Sequence, residues 1–167
     1  MGSKRIGLAR VEALLENLKR DLQMGEGTIL SGHRRRVITW AADKTLTATD
    51  SGCLVIATQG GSAIDLELPT AADAGSGWEI DVILGTAGAQ NAAIDFQADS
   101  ALVFIHLADG GTDSNAATVQ TKQSMAFAGG NATVGSRINI VSDGSKYYAT
   151  AHTGTANEIT VSDSGLS

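Results

Sequence analysis

"RINIVSDGSKYYATA", residues 137–151, decides how this chain is read. Two strand-forming runs flank Asp143-Gly144, a dipeptide that readily takes up the positive φ of a tight turn, so the stretch is a β-hairpin. Tyr147 and Tyr148 are adjacent on its second strand and therefore point to opposite faces. One is expected to pack inward and the other to stay exposed or enter an interface, where aromatic residues are enriched.

The same period of two runs outward from the hairpin. In "AIDLELP", residues 63–69, Ile64, Leu66 and Leu68 face one way and Asp65 and Glu67 the other. In "GWEIDVILGT", residues 77–86, Trp78, Ile80, Val82 and Leu84 are expected to point inward and Glu79 and Asp81 outward. "VITWA", "CLVIAT", "AAIDFQ", "ALVFIHLA", "SMAFA" and "NEITV" also have strand character, with Gly, Asp, Ser and Asn between them. Ten or so short strands predict a mainly β body over residues 37–167, an antiparallel β-sandwich or barrel of jelly-roll-like form. No internal repeat is visible.

Composition agrees with one domain and an appendage. The chain has 167 residues, 43% of them apolar but only 4% aromatic, with 20 Gly and one Pro. Its core must come from Ile, Val, Leu and Ala, and it is too apolar for a disordered chain. No apolar run approaches the roughly 18 residues of a membrane span. The single cysteine, Cys53, rules out an internal disulfide, suits synthesis in a reducing cytoplasm, and sits in an apolar run that predicts a buried, inert thiol.

The N-terminus breaks the β pattern. Leu8, Val11, Leu14, Leu15, Leu18 and Leu22 fall within an apolar stripe about 120° wide at helical spacing. Ser3 is a suitable N-cap and Gly25 a stop, while Lys19 and Arg20 favour the helix dipole. Residues 1–27 are thus expected to form one amphipathic α-helical arm. Residues 28–36, rich in Gly and ending in Arg34, Arg35 and Arg36, read as a basic hinge. Residues 1–36 carry eight basic and four acidic side chains, net +4. The rest carries four and fourteen, net −10. An acidic body argues against nucleic acid as partner, so the arginines are expected to meet solvent or an acidic protein.

Signatures of particular mechanisms are missing. There is no GxxxxGK[ST] loop, GxSxG elbow, HExxH or CxxC. His33, His106 and His152 lie far apart in sequence, so no metal site is expected from them. "DGGTDSN", residues 109–115, offers Asp109, Asp113 and Asn115 as oxygen ligands for Ca²⁺. The EF-hand spacing is absent, however, and turns ordinarily collect these residue types. "NAT", residues 131–133, reads as a turn rather than a glycosylation site. Asp65 and Glu67 share a polar strand face that gives no reason for a raised carboxyl pKa. No enzymatic site, cofactor or metal is expected.

"TLTATDSG" (45–52), "IDLELP" (64–69) and "WEIDVILGT" (78–86) resemble capsid decoration (cement) proteins of tailed bacteriophages, as does the closing hairpin. "GSKRIGLARVEALLENLKRDL" (2–22) is similar to the N-terminal segment of structural proteins from marine tailed phages. The resemblance covers about half the chain and leaves residues 86–135 unmatched. It implies a non-enzymatic virion protein on the outer surface of the head, made in the host cytoplasm. It also implies the major capsid protein and sister copies, as a homotrimer, for partners; by charge and hydropathy, no nucleic acid and no membrane are expected. A lone helix of this length is marginal in water and must bury its stripe on something. The expected interface is therefore Leu8, Val11, Leu14, Leu15, Leu18 and Leu22 with Arg34, Arg35 and Arg36. The alternative is a head-fibre or tail-fibre module binding a host glycan.

Overall fold

The alternation of Val55 and Ala57 with Leu54, Ile56 and Thr58 places the first pair inward at 0% exposure and leaves the other three half-buried. The same rule builds the paired strands over residues 137–143 and 147–152. A computed structural model describes residues 10–12, 34–97, 102–108, 121–154 and 157–162, the backbone alone for 102–108 and 121. The chain divides into two units, Met1–Arg34 and Arg35–Ser167. In the first, residues 10–12 are helical and exposed. The remainder of the expected arm, with Leu8, Leu14, Leu15, Leu18 and Leu22, lies outside the described residues.

The second unit is mainly β. Its strands are β1 (Val37–Trp40), β2 (Lys44–Thr45), β3 (Leu54–Thr58), β4 (Ile64–Glu67), β5 (Ser76–Thr86) and β6 (Ala92–Asp95). They continue as β7 (Leu102–Ala108), β8 (Thr121–Lys122), β9 (Ser124–Phe127), β10 (Arg137–Asp143), β11 (Tyr147–His152) and β12 (Ile159–Ser162). A 3₁₀ turn at Ala48–Asp50 and a single helical turn at Ala71–Ala74 interrupt them. Seven strands form one sheet in the order β1-β3-β5-β10-β11-β7-β8, and five form the other as β12-β9-β6-β4-β2.

Both sheets are mixed, which corrects the antiparallel expectation. β1, β3 and β5 are parallel neighbours, and so are β2, β4 and β6. From β1 to β6 the chain crosses to the opposite sheet after every strand and returns one position further along, running the same way each time. A parallel pair needs a crossover of about a dozen residues or more, usually a helix. Here a strand of the other sheet serves instead. The successive offsets are unequal (Val37 pairs with Leu54, and Leu54 with Asp81), so the winding leaves no repeat in the sequence. Antiparallel pairing returns in β5–β10–β11, β7–β8 and β6–β9–β12, and there are two open sheets rather than a closed barrel.

The inner faces of the two sheets share one apolar cluster. It takes Val55, Ile80, Val82, Leu84, Ile138 and Ile140 from the larger sheet and Ile64, Leu66, Ile94, Met125 and Phe127 from the smaller. Every one of these is at most 5% exposed. The hairpin of residues 137–151 forms as expected, with Ile140 opposite Ala149. Gly144 alone takes the positive φ, at 87°. Asp143 acts differently: its carboxylate accepts the amides of Ser145 and Lys146, both at 2.7 Å, and the Tyr148 hydroxyl at 2.9 Å. Those backbone bonds, with that hydroxyl, hold its pKa below the usual carboxylate value.

Two buried polar side chains join segments far apart in sequence. Gln59, 3% exposed, donates to the Phe127 carbonyl at 3.0 Å and accepts the Gly88 amide at 2.9 Å. Glu158 is 0% exposed and accepts from the Thr133 amide (3.3 Å), the Thr133 hydroxyl (2.9 Å) and the Ser136 hydroxyl. Buried polar groups survive only when so satisfied. No buried side-chain nitrogen or oxygen among the described residues lacks a partner.

Candidate functional site

The central strands of the larger sheet present a polar outer face. Register places Asp81 of β5, Asn139 of β10 and Thr150 of β11 in one row, with Ile83, Arg137 and His152 in the next. Asp81, Arg137, Asn139, Thr150 and His152 line an open cleft of ≈ 370 Å³.

Asp81 organises this face. Its side chain is 7% exposed and receives Arg137 Nε at 3.1 Å, Arg137 Nη2 at 2.6 Å, Asn139 Nδ2 at 3.1 Å and the Arg35 guanidinium. Burial acts to raise the carboxyl's pKa. The bonds from Arg137, Arg35 and Asn139 outweigh it and hold the value at about 2, from 3.8. The folded state keeps this group ionised where the unfolded chain has begun to bind a proton. Its contribution to stability is therefore present above pH 3.8 and disappears as pH falls through 3.8 towards 2. Both arginines are partly exposed, at 39% and 46%, so solvent screens the pair. At neutral pH, Asp81→Asn is expected to cost about 1–2 kcal/mol. Urea midpoints should fall more steeply between pH 5 and pH 2 in the native chain than in that variant. Parallel acid profiles would contradict the assignment.

The basic triplet separates in space. Arg34 is exposed. Arg35 also donates to the Gly52 carbonyl at 2.8 Å and to the Cys53 carbonyl at 2.7 Å. Arg36 pairs with Asp50 and reaches the Cys53 sulfur at 3.1 Å. Asp50 is presented by the 3₁₀ turn, where it also accepts the Thr47 amide at 2.7 Å. Arg35 and Arg36 thus tie the start of the body to its own β2–β3 connection and β5. Cys53 is buried at 2% exposure.

Sequence reasoning marked Asp81 only as an outward residue. Its engagement by two arginines spans 46 and 56 positions, and no local pattern signals that. Asp65 also departs from expectation. Partial burial raises its pKa, and the charges of Asp43 and Asp95 add to the shift. Asn131 stands in a turn closed by its amide on the Ala128 carbonyl at 3.2 Å. Val11 is 54% exposed. His33 and residues 109–115 lie outside the described residues. Among the described residues no three His, Cys, Asp or Glu side chains are grouped to hold a metal ion, and no helix there is long and apolar enough to cross a membrane. Comparison with protein-family models, curated proteins and solved structures finds no match.

Proposed function

We propose that this chain is a non-enzymatic structural protein of a phage virion, binding the assembled head and decorating or stabilising its lattice. In this reading the two sheets around their common core form a rigid sandwich, and residues 1–27 are the docking arm. The observation that carries the reading is the fastening of Arg35 and Arg36 to Asp81, Asp50 and the carbonyls of Gly52 and Cys53. A body anchored at that point gives a preceding segment a fixed origin, which lowers the entropy lost when it docks. The Leu stripe of residues 8–22 supplies the apolar surface such docking buries. The second reading, a fibre module that binds glycans, is favoured by the polar cleft on the outer sheet face.

Immunogold microscopy of particles from the encoding phage tests the reading. Label over the head exterior is the expected result. Label at fibre tips would favour the second reading, and absence from particles would overturn both. Leu14→Asp with Leu18→Asp should abolish head binding, because each places a charge in the apolar stripe at a cost of several kcal/mol. The urea midpoint of the body should stay unchanged. A large drop in that midpoint, independent of protein concentration, would mean the stripe packs on its own body.

A further inference from the structure

The cleft over β10 and β11 carries polar groups left without a hydrogen-bond partner among the described residues. Arg137 commits Nε and Nη2 to Asp81, while its Nη1 makes no bond among the described residues. Asp81 accepts only, so Asn139 must turn its amide nitrogen towards it at 3.1 Å. The Asn139 carbonyl oxygen is left as an acceptor. The Thr150 hydroxyl and the His152 ring make no hydrogen bond among the described residues, yet both line the cleft. We propose that this cleft binds a carboxylated sugar, a uronic acid or similar sugar acid.

Charge supplies the first reason. Arg35 and Arg137 face one carboxylate, Asp81, so the cluster has one positive charge in excess on a unit, Arg35–Ser167, of net charge −8. Asp81 itself repels an anion, but at 7% exposure and beneath two guanidinium groups and an amide its field is largely neutralised. One excess charge suits a single carboxylate. A phosphate, with up to two charges, would leave one of them unmatched here.

The surroundings supply the second reason. An acidic side chain of a protein would use Arg137 and leave Asn139, Thr150 and His152 idle. A sugar ring offers hydroxyls that both donate and accept, matching the Asn139 carbonyl, the Thr150 hydroxyl and either ring nitrogen of His152. A cleft of ≈ 370 Å³ falls within the roughly 300–1,000 Å³ typical of small-molecule sites. Asp81 holds Arg137 and Asn139 in place before any ligand arrives, so little side-chain freedom is lost on binding.

Heteronuclear NMR titration of the full chain at neutral pH, with D-glucuronate, D-glucose, acetate and an oligoglutamate peptide as probes, tests the proposal. D-glucuronate is expected to shift the signals of Asn139, Thr150 and His152 and to bind about tenfold tighter than glucose or acetate. Thr150→Val and His152→Ala leave the Asp81–Arg137 pair intact. Each should weaken glucuronate about threefold to tenfold, the worth of one hydrogen bond. Arg137→Gln should abolish binding. Acetate binding as well as glucuronate would reduce the cleft to a simple anion spot and overturn the proposal. Tighter binding of oligoglutamate would reassign it to an acidic protein partner. Glucose binding equally well, or no shifts up to tens of millimolar glucuronate, would also overturn it.

Discussion

Replacing Tyr147 by alanine is expected to lower the unfolding free energy by about 3–5 kcal/mol, as for other large-to-small changes of buried aromatic residues. Tyr147 is 0% exposed and lies between Trp78 and Phe96, with ring centroids 5.8 Å and 5.7 Å away. The Trp78 contact is edge-on at 70°, the arrangement aromatic quadrupoles prefer. Its hydroxyl donates to the Pro69 carbonyl at 2.7 Å. Burial pushes the phenol's pKa up, and the charge of Asp73 adds to this, so the hydroxyl stays a donor through the physiological range. Truncation opens a cavity beneath both neighbouring rings and strands the carbonyl. In a body of this size the melting temperature should fall on the order of 10–20 °C. Tyr147→Phe loses the single hydrogen bond and should cost about 1 kcal/mol. An alanine variant within about 1 kcal/mol of the native chain by urea unfolding would refute this account of the core.

A valine at Gly129 should cost about 3 kcal/mol, the upper end of what overpacking ordinarily brings. A Cβ at Gly129 would lie 2.5 Å from the Ala89 carbonyl oxygen and 2.7 Å from the Gln90 carbonyl carbon. Both are backbone atoms, so no rotamer change relieves the contact. The segment cannot move aside cheaply. The Gly129 amide donates to Asn91 Oδ1 at 2.8 Å, the Gly130 amide donates to the Gly88 carbonyl at 2.8 Å, and Gln59 clamps Gly88 to Phe127. Gly60→Ala is the matched control. It has no atom within 4 Å of the added carbon and should change stability by no more than about 0.5 kcal/mol. Equal urea midpoints for the two variants would show that the 88–91 and 128–131 segments are not held together as described.

Some of the molecule is legible without coordinates. Alternation over residues 63–69 and 77–86 correctly turned Ile64, Leu66, Leu68, Trp78, Ile80, Val82 and Leu84 inward. Asp143-Gly144 marked the hairpin, the tyrosine pair split between buried Tyr147 and half-buried Tyr148, and Cys53 fell in the core. These features depend on neighbours one to six positions apart. Pleat and turn chemistry act at that range, and the one-dimensional order of residues records them.

Strand direction and partner choice are different in kind. A period of two reads the same forwards and backwards, and parallel and antiparallel ladders satisfy the same backbone groups. Nothing in "VITWA" or "CLVIAT" therefore says that β1 and β3 run parallel, or that a strand of the other sheet lies between them in sequence. Only the winding of the whole body decides it. The same holds for Asp81, which the alternation marks as an outward polar residue. Its two arginines stand 46 positions before it and 56 after it, and their convergence turns a solvent-facing aspartate into the buried centre of the cleft. The linear sequence determined which side of each strand meets water. The tertiary structure decided which strands and charges meet each other, because those contacts join residues dozens of positions apart and exist only once the shared core has formed.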